Sequence, residues 1–167
     1  THTDSSAASD VYKRQQSDIR NQIDSEKILS WLNEEASITK RISSQADFKL
    51  EVLQDDIGNA QEEEYKALKI NLEQVRIREV MLYGDSVPLV FARSIIPKLA
   101  STKGYPDLGS IGSKPLGDLI FESDLFVKMH REFAEFQNIA NEIIWGRRTQ
   151  YQVKGYPLSI MEVFLFS

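Results

Sequence analysis

The stretch that decides the fold is Leu158-Ser159-Ile160-Met161-Glu162-Val163-Phe164-Leu165-Phe166. It reads as a buried strand with one carboxylate in its middle. Side chains alternate across a strand, so Leu158, Ile160, Glu162, Phe164 and Phe166 share one face and Ser159, Met161, Val163 and Leu165 the other. Neither face is polar. An unpaired charge in such surroundings is costly, so Glu162 needs either a core arginine or a ligand; on residue pattern alone the arginine is slightly favoured. Working backwards, the turn signal Lys154-Gly155 makes this strand the second arm of a hairpin that begins near Ile143.

A clearer hairpin lies upstream in "QVRIREVMLYGDSVPLVFARSIIP", turning at Gly84-Asp85-Ser86. In its first strand Arg76, Arg78, Val80 and Leu82 share a face. In its second, Leu89, Phe91, Arg93 and Ile95 do, and Pro97 ends the strand. Consecutive strands joined by short turns pair antiparallel. The class is α+β.

Around these hairpins the chain carries short elements. Capping residues at Asp24 and Ser25 open a helix with Ile28, Trp31 and Leu32 at helical spacing, and a second helical turn is expected from Ser37 to Ser43. Phe48, Leu50 and Val52 alternate with Lys49 and Glu51 as in a half-buried strand. The acidic run 54–70 reads as a solvated loop or short exposed helix with no function. "ASTKGYPDLGSIGS" is too rich in glycine and serine for a regular element, and it leads into a short helix, Leu116 to Phe121, with Pro115 near its start. Residues 124–144 fit a helix or a strand.

Composition bounds the function. At 167 residues and 41% hydrophobic, the chain suffices for one domain with a real core. A net charge of -5 disfavours nucleic acid as a general partner, so any small anion must meet a local cluster of cations. Without cysteine there is no disulfide, thiolate metal site or Cys nucleophile, and the two histidines are too few for a His-rich site. No apolar stretch reaches the length of a membrane span and no signal core opens the chain. The expectation is a soluble, cytoplasmic single domain with no stable membrane insertion. Residues 1–16 are polar and aperiodic, and Asp10 to Gln15 resembles a translated transposon-end adaptor. They are expected to be an adaptor-derived or flexible tail preceding a single domain over 17–167.

The order and wording of several motifs resemble the chorismate–pyruvate lyases, which form 4-hydroxybenzoate for ubiquinone synthesis. The matching stretches are "WLNEEASITKR" (31–41), "REVML" (78–82), "FARSIIP" (91–97), "KPLGDLIF" (114–121), "WGRR" (145–148) and "GYPLSIMEVFL" (155–165). The resemblance implies a mostly antiparallel sheet of about six strands, helices packed on it, and helical flaps over an internal site. It favours a strand around 128–136. It further implies a monomer acting on a small molecule, with no cofactor and no metal. It also implies that Arg78 binds the carboxylate of the aromatic ring and that Glu162 meets the ring hydroxyl at the other end. Ile38 and Leu116 match positions that complete the pocket under the flaps. Ile38 stands where the best-known members carry methionine, and Ala92 where some carry glycine. Arg147 or Arg148 is a candidate for the second carboxylate of chorismate. The apolar surroundings of Glu162 should favour its neutral acid, and Glu162→Gln should leave stability near normal while lowering turnover. Two alternatives stay open. One is a non-enzymatic effector-sensing domain, since the fold also serves bacterial transcription regulators, although those carry a winged helix-turn-helix for which there is no room before Trp31. The other is a homologue without turnover or with a different isomer as product.

Overall fold

In the computed structural model, residues 23 and 25–167 are described, together with the backbone of Lys13–Arg14. Those two residues form β1, a two-residue edge pairing with Phe133 and Ala134. The rest of residues 1–16 lies outside the described residues, and the expectation of a tail lies there with it.

The six long strands are β2 (Phe48–Gly58), β3 (Val75–Gly84), β4 (Val87–Pro97), β5 (Phe126–Gln137), β6 (Ile143–Val153) and β7 (Tyr156–Phe164). They form one sheet in the order β1-β5-β6-β7-β4-β3-β2, antiparallel at every pairing. The α+β class and the expected half-dozen strands are met, and the ambiguous 124–144 resolves as the strand β5. Both expected turns are tight. Asp85 and Ser86 have φ of 49° and 65°, and Lys154 and Gly155 have 52° and 84°. Paired left-handed residues give the twist that two-residue hairpins require.

Short helices flank the sheet: α1 (Glu26–Leu32), α2 (Ile38–Ser43), α3 (Glu62–Leu68) and α4 (Leu116–Phe121). Ser25 and Ser37 cap α1 and α2 by accepting from the Ile28 and Lys40 amides. One sheet face, here the inner face, meets α1 and α2 through Ile28, Trp31, Leu32, Val80, Leu82 and Phe164, and meets α4 through Leu116, Ile120, Tyr151, Leu158 and Ile160. The outer face packs on α3 through Tyr65, Leu68, Val75, Ile77 and Ile95.

Three expectations need correction. The acidic run 54–70 is no loop at its start, where β2 continues to Gly58; the short helix expected there is α3, half-buried through Tyr65 and Leu68, with a capping box between Gln61 and Glu64. Strand propensity is overridden because Asp55 lies opposite Arg78 in the ladder. The stretch after Pro97 holds a π-helical turn (Ala100–Gly104) and a 3-10 turn (Pro106–Gly109), anchored by buried Ala100, Leu108 and Ile111. The opening strand stops at Phe164, while Phe166 leaves the ladder to pack on Trp31 with ring centroids 5.3 Å apart.

Candidate active site

A cavity lies on the inner face at the seam between the α1–α2 cluster and the α4 cluster. Ile38, Arg78, Leu116 and Glu162 all line it. Ile38 opens α2 and Leu116 opens α4, so both helices contribute walls, and Ser37 Oγ donates to Asp118 Oδ1 at 3.0 Å between them. About 50 Å³ is enclosed, room for a few waters at roughly 10–15 Å³ each.

Arg78 is the largest fully buried side chain of the described residues. Its Nη1 donates to Asp55 Oδ2 at 3.0 Å and Gly112 O at 2.8 Å, and its Nη2 donates to Lys114 O at 2.7 Å. An arginine has five N–H donors. Three are thus held by protein, and Nε with one Nη2 hydrogen remains, the side-on pair that grips a carboxylate. Burial pushes the guanidinium down from its ordinary pKa, and Asp55 beside it pulls the other way. Asp55 faces Arg78 only because β2 is irregular. The register passes from Val52 opposite Val80 to Gln54 opposite Glu79, so Leu53 is bulged. A bulge reverses the alternation beyond it, which turns Asp55 to the inner face.

At the other end Glu162 is not in the apolar setting expected of it. Arg147 Nε donates to its Oε1 at 2.9 Å, and Arg147 Nη1 holds Leu32 O at 3.1 Å and Glu34 O at 2.6 Å. Oε2 of Glu162 has no hydrogen bond to a described residue, and its side chain keeps 15% exposure. Glu162 is thus an arginine partner and a cavity wall at once. Gly146 permits the close β6–β7 approach, because a Cβ there would sit 2.9 Å from the Glu162 carbonyl oxygen. Tyr151 completes this end; burial, and then the charge of Glu162, push its phenol up.

Arg148, a candidate for the site in the sequence, is on the outer face, as is Arg93. Arg93 forms a fork with Glu64 at 2.6 and 3.0 Å, and Arg148 pairs with Glu63 and Glu132. Arg148 is therefore removed as a candidate for the second carboxylate. Sequence reasoning missed Asp55, Tyr151 and the pairing of Arg147 with Glu162. The last had a signal. Across a two-residue turn at 154–155, paired positions add to 309, which sets Arg147 opposite Glu162.

The fold defines the class first: an α+β domain, one antiparallel sheet with a cavity between it and two short helices. It is similar to a GntR-family transcriptional regulator from Enterococcus faecalis V583 (TM-score 0.55, 11% identity, 74% of this chain and 93% of that one). It is also similar to the effector domain of PhnF from Mycobacterium smegmatis (TM-score 0.53, 14% identity, 77% and 88%). At such identities the likeness is of fold alone. The chorismate lyase family model matches residues 9–167, and the chain belongs to that family. It is 32% identical to "Probable chorismate pyruvate-lyase 2" of Pseudomonas entomophila over 82% of this chain and 79% of that protein. It is 34% identical to "Probable chorismate pyruvate-lyase" of Pseudoalteromonas atlantica over 81% and 78%.

Proposed function

We propose that the protein is a cytoplasmic, monomeric lyase that converts chorismate to 4-hydroxybenzoate and pyruvate, the first committed step of ubiquinone synthesis. The observation that carries this reading is one cavity with an arginine fork at one end and, at the other, a carboxylate oxygen without a donor among the described residues. Arg78 lies across from Ser94 and then Ile160, two residues along β7 from Glu162. Two strand spacings and two residue steps put their Cα atoms roughly 12 Å apart, far enough for two long side chains to hold opposite ends of one ring.

The chemistry needs no oxidant and no cofactor. The bond from the ring to the enolpyruvyl oxygen breaks, and the ring carbon bearing the hydroxyl loses its proton. That C–H electron pair becomes the last ring double bond, and the expelled enolpyruvate takes up a proton as it becomes pyruvate. Aromatisation drives the step, so the protein's share is to bind, orient and exclude water. Arg78 fixes the ring carboxylate. Glu162 Oε2 faces the hydroxyl end and accepts the ring proton. Arg147 holds the carboxylate at its other oxygen, so the base is aimed before substrate arrives. Ile38 and Leu116 close over the ring on α2 and α4, which act as flaps that open for exchange.

The ion-paired groups around the cavity and its mouth support a dianionic substrate. Arg76, Arg78, Lys128, Arg131 and Arg147 stand against Asp55, Glu35 and Glu162. Five cations to three carboxylates leave a local excess of two positive charges in a chain whose net charge is -5. Incubation of the purified protein with chorismate, followed by chromatography, tests the reading. Equal amounts of 4-hydroxybenzoate and pyruvate are expected. Binding without turnover would instead favour an effector-sensing domain, the reading that the regulator-like fold supports.

A further inference from the structure

Beside the ring cavity is a second pocket of about 280 Å³ that shares Phe121 and Tyr151 with it as walls and adds Glu35, Lys128 and Arg131. Lys128 and Arg131 are three residues apart on β5, a spacing that puts side chains on opposite faces of a regular strand. Here the register passes from Lys128 opposite Tyr151 to His130 opposite Gln150, so Met129 is bulged out. Arg131 then falls opposite Thr149, and both cations come to the inner face beside the cavity.

Both hold the same carboxylate. Lys128 Nζ lies 2.8 Å from Glu35 Oε2, and Arg131 Nη1 lies 3.3 Å from Glu35 Oε1. Glu35 reaches them from the loop between α1 and α2, with 70% of its side chain exposed. Arg131 is buried, with 8% exposure. Its Nε is fixed by Thr149 Oγ1 at 2.9 Å. Burial, and then the charge of Arg147, push it below the ordinary arginine value, whereas the hydrogen bond from Lys128 leads the causes that hold Glu35 below the usual carboxylate range. The pocket therefore presents one fixed guanidinium and one lysine ammonium to a largely exposed carboxylate.

We infer that Lys128 and Arg131 are the seat of the substrate's enolpyruvyl carboxylate, and that Glu35 is a built-in carboxylate occupying this seat until substrate displaces it. The inference rests on the lyase reading. With the ring carboxylate on Arg78 and the hydroxyl toward Glu162, the enolpyruvyl ether leaves the carbon next to the hydroxyl-bearing one. It then points toward the Arg147, Arg131 and Tyr151 end. Arg147 gives Nε and Nη1 to Glu162 and the loop carbonyls, and Arg131 stands beyond it on the same face, opposite Thr149.

The product lacks the arm, and this separates a carboxylate seat from a merely structural cation. Chorismate and 4-hydroxybenzoate are titrated by calorimetry into protein carrying Glu162→Gln, in which turnover is slowed, with each chorismate injection checked by chromatography to be unconverted over the time of the titration. Adding Arg131→Gln should weaken chorismate about tenfold or more, while 4-hydroxybenzoate changes less than about twofold. Lys128→Gln, at a half-exposed position, should give the same split more weakly if Arg131→Gln misfolds. Glu35→Gln should act in the opposite direction and tighten chorismate about threefold by removing the competitor. Equal weakening of both ligands by the Arg131 and Lys128 changes, or weaker chorismate binding in Glu35→Gln, would overturn the seat. Absence of turnover by the unaltered protein, with the binding split intact, would sink the lyase reading and leave the seat standing.

Discussion

The two faces of the sheet use the same residue types to different ends. Arg147 and Arg148 are neighbours in sequence and point to opposite faces. On the outer face, Arg93 and Arg148 meet Glu63, Glu64, Glu79 and Glu132, four carboxylates for two cations. On the inner face, Arg78 and Arg147 spend much of their donor capacity on backbone carbonyls: Gly112 and Lys114 for the first, Leu32 and Glu34 for the second. A carbonyl fixes a guanidinium without cancelling its charge. The outer cations are therefore more than matched by carboxylates and tie α3 to the sheet, while each inner arginine has one side-chain carboxylate partner and is otherwise held by carbonyls. A rigid guanidinium with N–H donors left over is what a small anionic ligand requires.

The comparison can be broken most sharply at Glu162. Glu162→Gln should cut chorismate turnover by about 10²–10⁴-fold, because an amide cannot take the ring proton. The amide oxygen can still accept from Arg147, which also keeps its two loop carbonyls, so the stability cost should be only about 1–2 kcal/mol. Steady-state rates and a denaturant melt on this variant read both quantities, and loss of stability with full turnover per folded molecule would make Glu162 a purely structural partner.

The opposite pattern belongs to the outer face. Glu64→Ala strips Arg93 of its fork and should cost about 3–5 kcal/mol, with turnover per folded molecule unchanged. A selective fall in turnover would show that the two faces are not separate. A smaller effect is expected at the contact between the helices over the cavity. Ser37→Ala removes both the bond to Asp118 and the α2 cap, and should cost about 1 kcal/mol while speeding 4-hydroxybenzoate release a few-fold in stopped-flow. The smallest effect is expected at the N-terminus: a chain beginning at Ser17 should keep its melting temperature and turnover, and a loss of either would give the preceding residues a role.

Much of this architecture was legible in the sequence. Gly84-Asp85-Ser86 and Lys154-Gly155 marked both tight hairpins, and Ser25 and Ser37 marked two helix starts. Glu162 announced itself as a carboxylate in an apolar strand. What was hidden depended on register. The bulges at Leu53 and Met129 leave no mark in composition, yet they decide that Asp55, Lys128 and Arg131 come to the inner face. The acidic run 54–70 looked solvated because the arginines that neutralise it lie on strands far away in the chain. Arg78 and Arg93 are both strand arginines in one hairpin, and only the pairing of Arg78 with Ser94, and of Glu79 with Arg93, sets them on opposite faces.

The claim that the two faces divide binding from stability is tested most directly by titrating 4-hydroxybenzoate into Arg78→Ala and Arg148→Ala. The account predicts that Arg78→Ala loses about 100-fold or more in affinity, that Arg78→Lys recovers little of it for want of a planar fork, and that folded Arg148→Ala binds as the parent does. Parental affinity in Arg78→Ala, or an equal loss in Arg148→Ala, would contradict it.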